Sequence, residues 1–193
     1  MTAKILAFSG SSRRDSFNKK LVTFAADQAR KLGGDVTLID LRDFAMPLYD
    51  GDLEAEQGPP EGATQLFKLM KEHQGLLLAC PEYNSSITPL LKNAIDWVSR
   101  PREGEQRLAA FTGKVAGLLS ASPGQLGGLR GLVHVRSILS SIGTFVVPGQ
   151  VAVSAAHEAF DENGSIRDSA VAERIEAVVA QLVETTAKLN ATQ

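Results

Sequence analysis

The chain has 193 residues, 44% apolar and 22% charged, with 20 basic against 22 acidic side chains and a formal net charge of −2. That length supports one domain with a substantial core, and the balanced charge gives no electrostatic reason to expect nucleic acid or an anionic membrane surface as a partner. A single cysteine, Cys80, excludes an internal disulfide and a thiolate metal cluster. No apolar run approaches the roughly 20 residues of a membrane helix, and no charged segment leads a long apolar one at the start, so the expected setting is the cytoplasm with no membrane partner.

In chain order, residues 4–9 read as a buried strand. Leu21, Ala25, Ala29 and Leu32 then recur at helical spacing, and Gly33-Gly34 stops that helix. Residues 36–39 give a second strand, 40–62 a long connection with scattered Pro, Gly and acidic residues, and 63–73 a helix. Residues 75–80 are a continuous apolar run, as in a strand covered on both faces. Thr88 suits an N-cap and Pro89 the first helical position, with Leu91, Ala94, Ile95 and Val98 as the apolar face that follows. A polar loop spans 100–113, a fourth strand 114–120 and a Gly-rich loop 122–128, which leads into a helix through about residue 142. A fifth strand over 145–153 is interrupted by Pro148-Gly149. Val171, Ile175, Val178, Leu182 and Leu189 mark a closing amphipathic helix.

Five strands alternating with five helices argue for one parallel sheet with helices on both faces. Ligands of such sheets bind beyond the carboxyl ends of the strands, where the strand order reverses. The loops after strands one, three and four are therefore the ones that carry function.

The first of these is Gly10-Ser11-Ser12-Arg13-Arg14-Asp15-Ser16-Phe17-Asn18. A strand, a glycine turn and a helix N-terminus make an anion site, because the first helical N–H groups lack partners and the dipole favours negative charge. The loop lacks the Gly-Lys-Ser/Thr of a triphosphate loop and the G-x-G-x-x-G of a dinucleotide fingerprint. It suits a terminal phosphate monoester held by Ser11, Ser16, Asn18, backbone N–H groups and Arg13. A solvated polar turn that caps a helix is the competing explanation.

In the second loop, Pro81-Glu82-Tyr83-Asn84-Ser85-Ser86, Tyr83 can border a flat heteroaromatic ring while Asn84 and backbone groups serve its edges. Taken alone, Glu82 reads as a side chain pointing to solvent. The third loop, residues 120–128, is rich in glycine, so its N–H groups can approach a ligand closely and stabilise negative charge there. Alone, it would read as a flexible turn. His73, His134 and His157 are scattered without metal-ligand spacing and read as surface or helix-face residues. Cys80 reads as a small buried hydrophobe.

Three motifs together resemble a known family. Gly10-Ser11-x-Arg13-x-x-Ser16-x-Asn18, then Pro81-Glu82-Tyr83-Asn84 with Leu91-Lys92-Asn93-Ala94-Ile95-Asp96-Trp97, then Gly124-x-x-Gly127-Gly128-x-Arg130, are similar to the NAD(P)H-dependent FMN reductases. This flavodoxin-like group includes bacterial quinone, chromate and azo-dye reductases, and the likeness runs from about residue 4 to residue 153. It implies a three-layer α/β sandwich with a five-stranded parallel sheet of order 2-1-3-4-5, forming a single FMN-binding domain over 1–193. It further implies that Ser11, Arg13, Ser16, Phe17 (through its backbone) and Asn18 hold the FMN phosphate. Pro81, Glu82, Tyr83, Asn84 and Ser86 would border the flavin, and Ser120, Ser122, Gly124 and Gly127 would lie near its pyrimidine side. Thr88-Pro89 stands where many relatives have Pro-Gly, which puts acceptor preference in question.

The reaction so implied passes hydride from NADPH or NADH through FMN to a small acceptor: a quinone, a free flavin, an azo compound or chromate. The flavin carries the chemistry, so neither a catalytic acid–base pair nor a metal is expected. Both substrates would use one open face in turn, giving ping-pong kinetics. The resemblance also implies a homodimer or homotetramer, with Trp97 either at the interface or in the core. Tyr49 would lie near a flavin edge or anchor a turn, and Arg100, Arg102 and Arg107 would select NADPH or form a solvated loop. The rival reading is an FMN-binding electron carrier or regulatory module. Carriers of this fold tend to be strongly acidic, and this chain is not.

Overall fold

The computed structural model describes residues 2–190. Met1 and residues 191–193, the two ends of the expected 1–193 domain, lie outside them. The elements run β1 (Lys4–Ser9), α1 (Phe17–Lys31), β2 (Asp35–Asp40), a 3₁₀ turn (Leu41–Asp43), α2 (Gly51–Gln57), α3 (Glu61–Glu72), β3 (Gly75–Ala79), β4 (Glu82–Tyr83), β5 (Ser86–Ile87), α4 (Pro89–Val98), β6 (Val115–Ala121), α5 (Leu129–Ser141), β7 (Phe145–Val153) and α6 (Ser169–Asn190). Five of the strands form one all-parallel sheet in the order β2-β1-β3-β6-β7. With the small β4–β5 hairpin set aside, this is the expected 2-1-3-4-5 sheet of the flavodoxin-like fold.

Strand periodicity divides the core into two. Ile5 and Ala7 of β1, Leu77 and Ala79 of β3 and Leu119 of β6 point to the layer of α1 and α6. Their alternates Leu6, Phe8, Leu76, Leu78 and Leu118 point to the layer of α3, α4 and α5. Because successive side chains of a strand face opposite ways, a strand apolar at every position must be covered on both faces. All of β3 and β6 is buried accordingly. The edge strand β2 is only half-buried.

Three details depart from the sequence reading. The connection over 40–62 contains the short helix α2, which Asp50 caps by accepting from the N–H groups of Asp52 and Leu53. No residue of α2 is buried, so no apolar periodicity announces it. The loop after β3 folds into the hairpin β4–β5. The fifth strand runs unbroken through Pro148-Gly149, with its register slipping between Ala116 and Leu118 of β6. Proline is tolerated on an edge strand, and Arg136 of α5 meets the displaced carbonyls, donating to the oxygens of Val146, Val147 and Pro148 and to Gln150 Oε1.

Tight approaches fix how the connection meets the sheet layers. A Cβ on Gly62, in the first turn of α3, would lie 2.4 Å from the Ala45 carbonyl oxygen and 2.8 Å from Phe44 C. Both obstacles are backbone, so a side chain there must push the connection outward. Gly62→Ala is expected to cost about 1–3 kcal/mol, the usual range for overpacking, read as a lower urea midpoint with an unchanged slope.

Candidate functional site

The carboxyl edge of the sheet gathers the three loops. In the first, the Gly10 N–H donates to the Ala79 carbonyl at 3.0 Å. A Cβ on Gly10 would stand 3.0 Å from Leu91 Cβ, so only glycine lets the loop pass this close to α4. Thr88 Oγ1 accepts from the Leu91 N–H and donates to the Gly10 carbonyl at 2.6 Å, capping α4 and tying it to the loop at once. Ser11 and Ser16 are buried. Ser16 caps α1 by accepting from the Asn18 N–H, and Ser11 Oγ accepts from the Arg13 N–H at 3.3 Å. The Arg13 side chain is exposed and makes no hydrogen bond or ion pair among the described residues.

Asn18, expected at the phosphate, also joins the first loop to the third. Its Nδ2 donates to the Ala121 carbonyl at 2.7 Å, and its Oδ1 accepts from the Ala121 N–H at 2.9 Å. The amide thus pairs with the backbone at the end of β6 as another strand would. Phe17 stacks parallel to Phe160, with ring centroids 6.4 Å apart, which brings the loop that follows β7 against the start of α1.

In the second loop, Pro81 is buried and Tyr83 is about half exposed. Asn84 (φ 50°) and Ser85 (φ 67°) form the two-residue turn between the paired Tyr83 and Ser86, the left-handed pair that a tight hairpin demands. Glu82 does not point to solvent. Its side chain is 8% exposed and accepts from the backbone N–H groups of Arg130 and Gly131 and from the Arg130 guanidinium. Burial pushes its carboxyl up, but the Arg130 side-chain hydrogen bond, the Gly131 N–H, the Arg130 charge and the Arg130 N–H outweigh that and hold it below its ordinary value.

In the third loop, the buried Ser120 donates to the Cys80 carbonyl at 2.7 Å. A Cβ on Gly128 would fall 1.9 Å from Ser120 Oγ, and one on Gly127 would fall 2.7 Å from Val153 C; both glycines also have positive φ. Ser122 Oγ accepts from the Gly124 N–H, while backbone bonds join Ser122 to Val153 and Ala156. Gly124 itself is open, its nearest neighbour to a built Cβ being Ser122 Oγ at 3.7 Å. Beneath the loops, Cys80 is fully buried and desolvation raises its thiol to about 12, so it stays a protonated, inert thiol.

Other expected residues are engaged within the connection after β2 and the helices it packs against. Trp97 is buried within its own chain, with Nε1 donating to the Pro47 carbonyl, and packs edge-on against Tyr49 at 5.0 Å. Tyr49 is a turn anchor here: its N–H donates to Asn93 Oδ1, its hydroxyl to Glu54, and Arg100 lies over its ring. Arg102 lies over the Phe67 ring and donates to Thr64 Oγ1. The residues missed in sequence are Thr88 as a loop tie, Arg130 and Gly131 as Glu82 partners, and Phe160. Arg130 had a signal in its place in the glycine motif, and Thr88 in its N-cap chemistry, which did not reveal the bond to Gly10.

The sheet order and the three loops gathered at its topological switch define a protein of the flavodoxin-like class, whose ligand position is this edge. The family model for NADPH-dependent FMN reductase matches residues 3–158. The chain is 37% identical over 176 residues to an NAD(P)H-dependent FMN reductase of Pseudomonas aeruginosa, covering 90% of this chain and 89% of that one. It is 33% identical over 168 residues to a 2-hydroxy-1,4-benzoquinone reductase of a Burkholderia species, covering 86% of each. In structure it is similar to the flavoenzyme NAD(P)H:(acceptor) oxidoreductase FerB of Paracoccus denitrificans, with TM-score 0.82, 28% identity, and 97% and 98% of the two chains covered. The chain belongs to the NADPH-dependent FMN reductase family, oxidoreductases that take electrons from NAD(P)H by way of FMN.

The Asn18 pairing has a measurable cost. Asn18→Leu keeps the volume but leaves two buried backbone groups of Ala121 unpaired, at roughly 1–3 kcal/mol for each. Denaturant unfolding is expected to show that loss, whereas Ser12→Ala, on the exposed outside of the loop, is expected to unfold at the wild-type midpoint.

Proposed function

We propose that the three loops hold FMN, with its phosphate at the start of α1 and its ring between the β4–β5 hairpin and the glycine loop. The observation that carries this is the donor set of the first loop: two buried serines at a helix N-terminus and an unpaired guanidinium beside them. Those donors match a phosphate monoester in charge and number. Ser11, Arg13, Ser16, the Phe17 N–H and Asn18 take the phosphate, Asn18 with the Nδ2 hydrogen that its bond to the Ala121 carbonyl leaves over. Pro81, Glu82, Tyr83, Asn84 and Ser86 border the ring on one side. Ser122, Gly124 and Gly127 approach its pyrimidine side, the open Gly124 giving a flat ring room to lie against backbone. Ser120 supports that loop from beneath, through Cys80.

FMN, when bound, supplies hydride acceptance from NADPH or NADH and donation to a second substrate. The chain's own residues position, enclose and neutralise. Arg13 meets the phosphate charge. Backbone N–H groups of the glycine loop face the ring, where they favour electron density arriving on it. Tyr83, half-exposed at the hairpin tip, walls the opening through which both substrates come and go. The acceptor class is a small quinone, supported by the quinone-reducing relatives. The whole chain acts as one domain in the cytoplasm, where reduced nicotinamide is made. It works as a homodimer or a tetramer, for which the exposed apolar side chains of Leu126, Leu129 and Val133 supply a contact surface. No helix among the described residues is long and apolar enough to cross a membrane.

The test is a visible spectrum of the purified protein. Flavin bands that bleach with NADPH under anaerobic conditions and return with a quinone are expected, and initial-rate plots should run parallel. No bands after FMN reconstitution would overturn the reading, and bands that NADPH leaves unchanged would point to a carrier. Arg13→Ala removes a charge-assisted contact worth about 1.5–3 kcal/mol. FMN affinity should therefore fall about 10- to 100-fold, while the thermal midpoint of the cofactor-free protein holds.

A further inference from the structure

The N-terminus of α5 is capped from a distant part of the chain. Gly128 stands at its N-cap position with φ 93° and offers no side chain. The cap comes from Glu82, 48 residues before Arg130 in sequence. Its carboxylate accepts from Arg130 N at 3.0 Å, Gly131 N at 3.1 Å, Arg130 Nε at 2.8 Å and Arg130 Nη2 at 2.5 Å. A carboxylate at this place answers both the unpaired N–H groups and the positive end of the helix dipole.

Glu82 begins the hairpin, and the hairpin's other strand is tied to the same helix. Ser86 Oγ and His134 Nδ1 are 2.9 Å apart. A Cβ on Gly131 would lie 3.2 Å from the Ser86 carbonyl oxygen and 3.4 Å from Glu82 Cβ, so a glycine at 131 lets hairpin and helix lie this close. Between the two ties is the turn at Asn84 and Ser85, two residues with side chains held at positive φ. Such a conformation persists only where its surroundings over-determine it.

We propose that Glu82 is the positioning residue of the flavin site. By capping α5 it fastens the hairpin to the glycine loop and sets the Tyr83-Asn84-Ser85 tip in its working conformation before FMN arrives. This rests on the FMN reading above. A tip already in place need not be ordered when the ring binds, and the ordering cost avoided appears as affinity. The role belongs to the side chain of Glu82 acting through Arg130 and Gly131; its backbone takes the separate part of bordering the ring.

The test joins amide hydrogen exchange on FMN-free protein to fluorescence titration with FMN, in wild type, Glu82→Ala, Glu82→Gln and Arg13→Ala. Glu82→Ala is expected to speed exchange of the 83–87 amides about tenfold or more, as local opening becomes easier, with β3 and β6 unchanged. The same variant should weaken FMN binding about tenfold or more. Glu82→Gln, which keeps an acceptor but loses the charge, should fall between wild type and Glu82→Ala in both measurements. Arg13→Ala should weaken FMN binding and leave hairpin exchange at the wild-type rate. Should Glu82→Ala fail to fold, Glu82→Gln and Arg130→Met carry the comparison, the latter removing only the side-chain arm. Faster hairpin exchange with an unchanged FMN dissociation constant would make Glu82 a helix cap alone and overturn the proposal, as would unchanged exchange. Wild-type protein that binds no FMN would instead overturn the flavin reading, and with it the role in cofactor binding.

Discussion

Everything at the carboxyl edge of the sheet depends on one constraint: backbone groups that leave a buried strand must find partners without using those meant for a ligand. The Asn18–Ala121 pair meets it most directly. A side-chain amide carries one acceptor and two donors, so a single residue at the start of α1 can imitate the neighbouring strand that β6 lacks where its ladder ends. That contact sets how far the first loop stands from the third. Any cofactor spanning the two meets a gap fixed by the protein.

The same economy explains the other polar residues of the edge. Thr88, Ser120 and Glu82 are hydrogen-bonded to main-chain groups of other segments, at Gly10, Cys80 and the first turn of α5 (Arg130-Gly131) respectively. Buried polar groups left half-satisfied would cost more than they give, whereas a complete network specifies one arrangement. With these residues holding the loops to one another, outward-facing groups are released from structural duty. The Arg13 guanidinium is the clearest example.

How far this was legible in the sequence follows from where each signal lies. The apolar runs of β1, β3 and β6 declared buried strands because every position faces a helix layer, and Thr88-Pro89 declared the start of α4 by local capping chemistry alone. The helix α2 was illegible because it buries no residue and so has no periodicity to read. The hairpin was illegible because Asn84-Ser85 supplies positive φ without the glycine that ordinarily marks such a turn. Asn18, Ser120 and Glu82 were visible as residues of the right chemistry, yet their partners lie 103, 40 and 48 residues away. Sequence shows which side chains have donors and acceptors; which of them remain free is decided only when distant loops meet.

The cap on α5 carries an electrostatic consequence for the site. A helix N-terminus aimed at a cofactor is an obvious device for stabilising negative charge, and this sheet edge has three within reach, at α1, at α5 and at α4, the last capped by Thr88. The one at α1 keeps its positive end for an incoming anion, with only the neutral Ser16 as cap. The one at α5 is already neutralised by the Glu82 carboxylate, itself paired with Arg130. The termini of α1 and α5 therefore have different duties. In the proposed site the first meets charge that the ligand carries permanently, as a phosphate does. At the third loop, a ring placed as proposed above would draw support for its electron density from individual N–H groups, which act at short range and add no full charge. With FMN seated as proposed, such an arrangement would hold the cofactor at its phosphate while keeping the electrostatic bias on its ring mild, as suits an enzyme that must both take electrons and give them up.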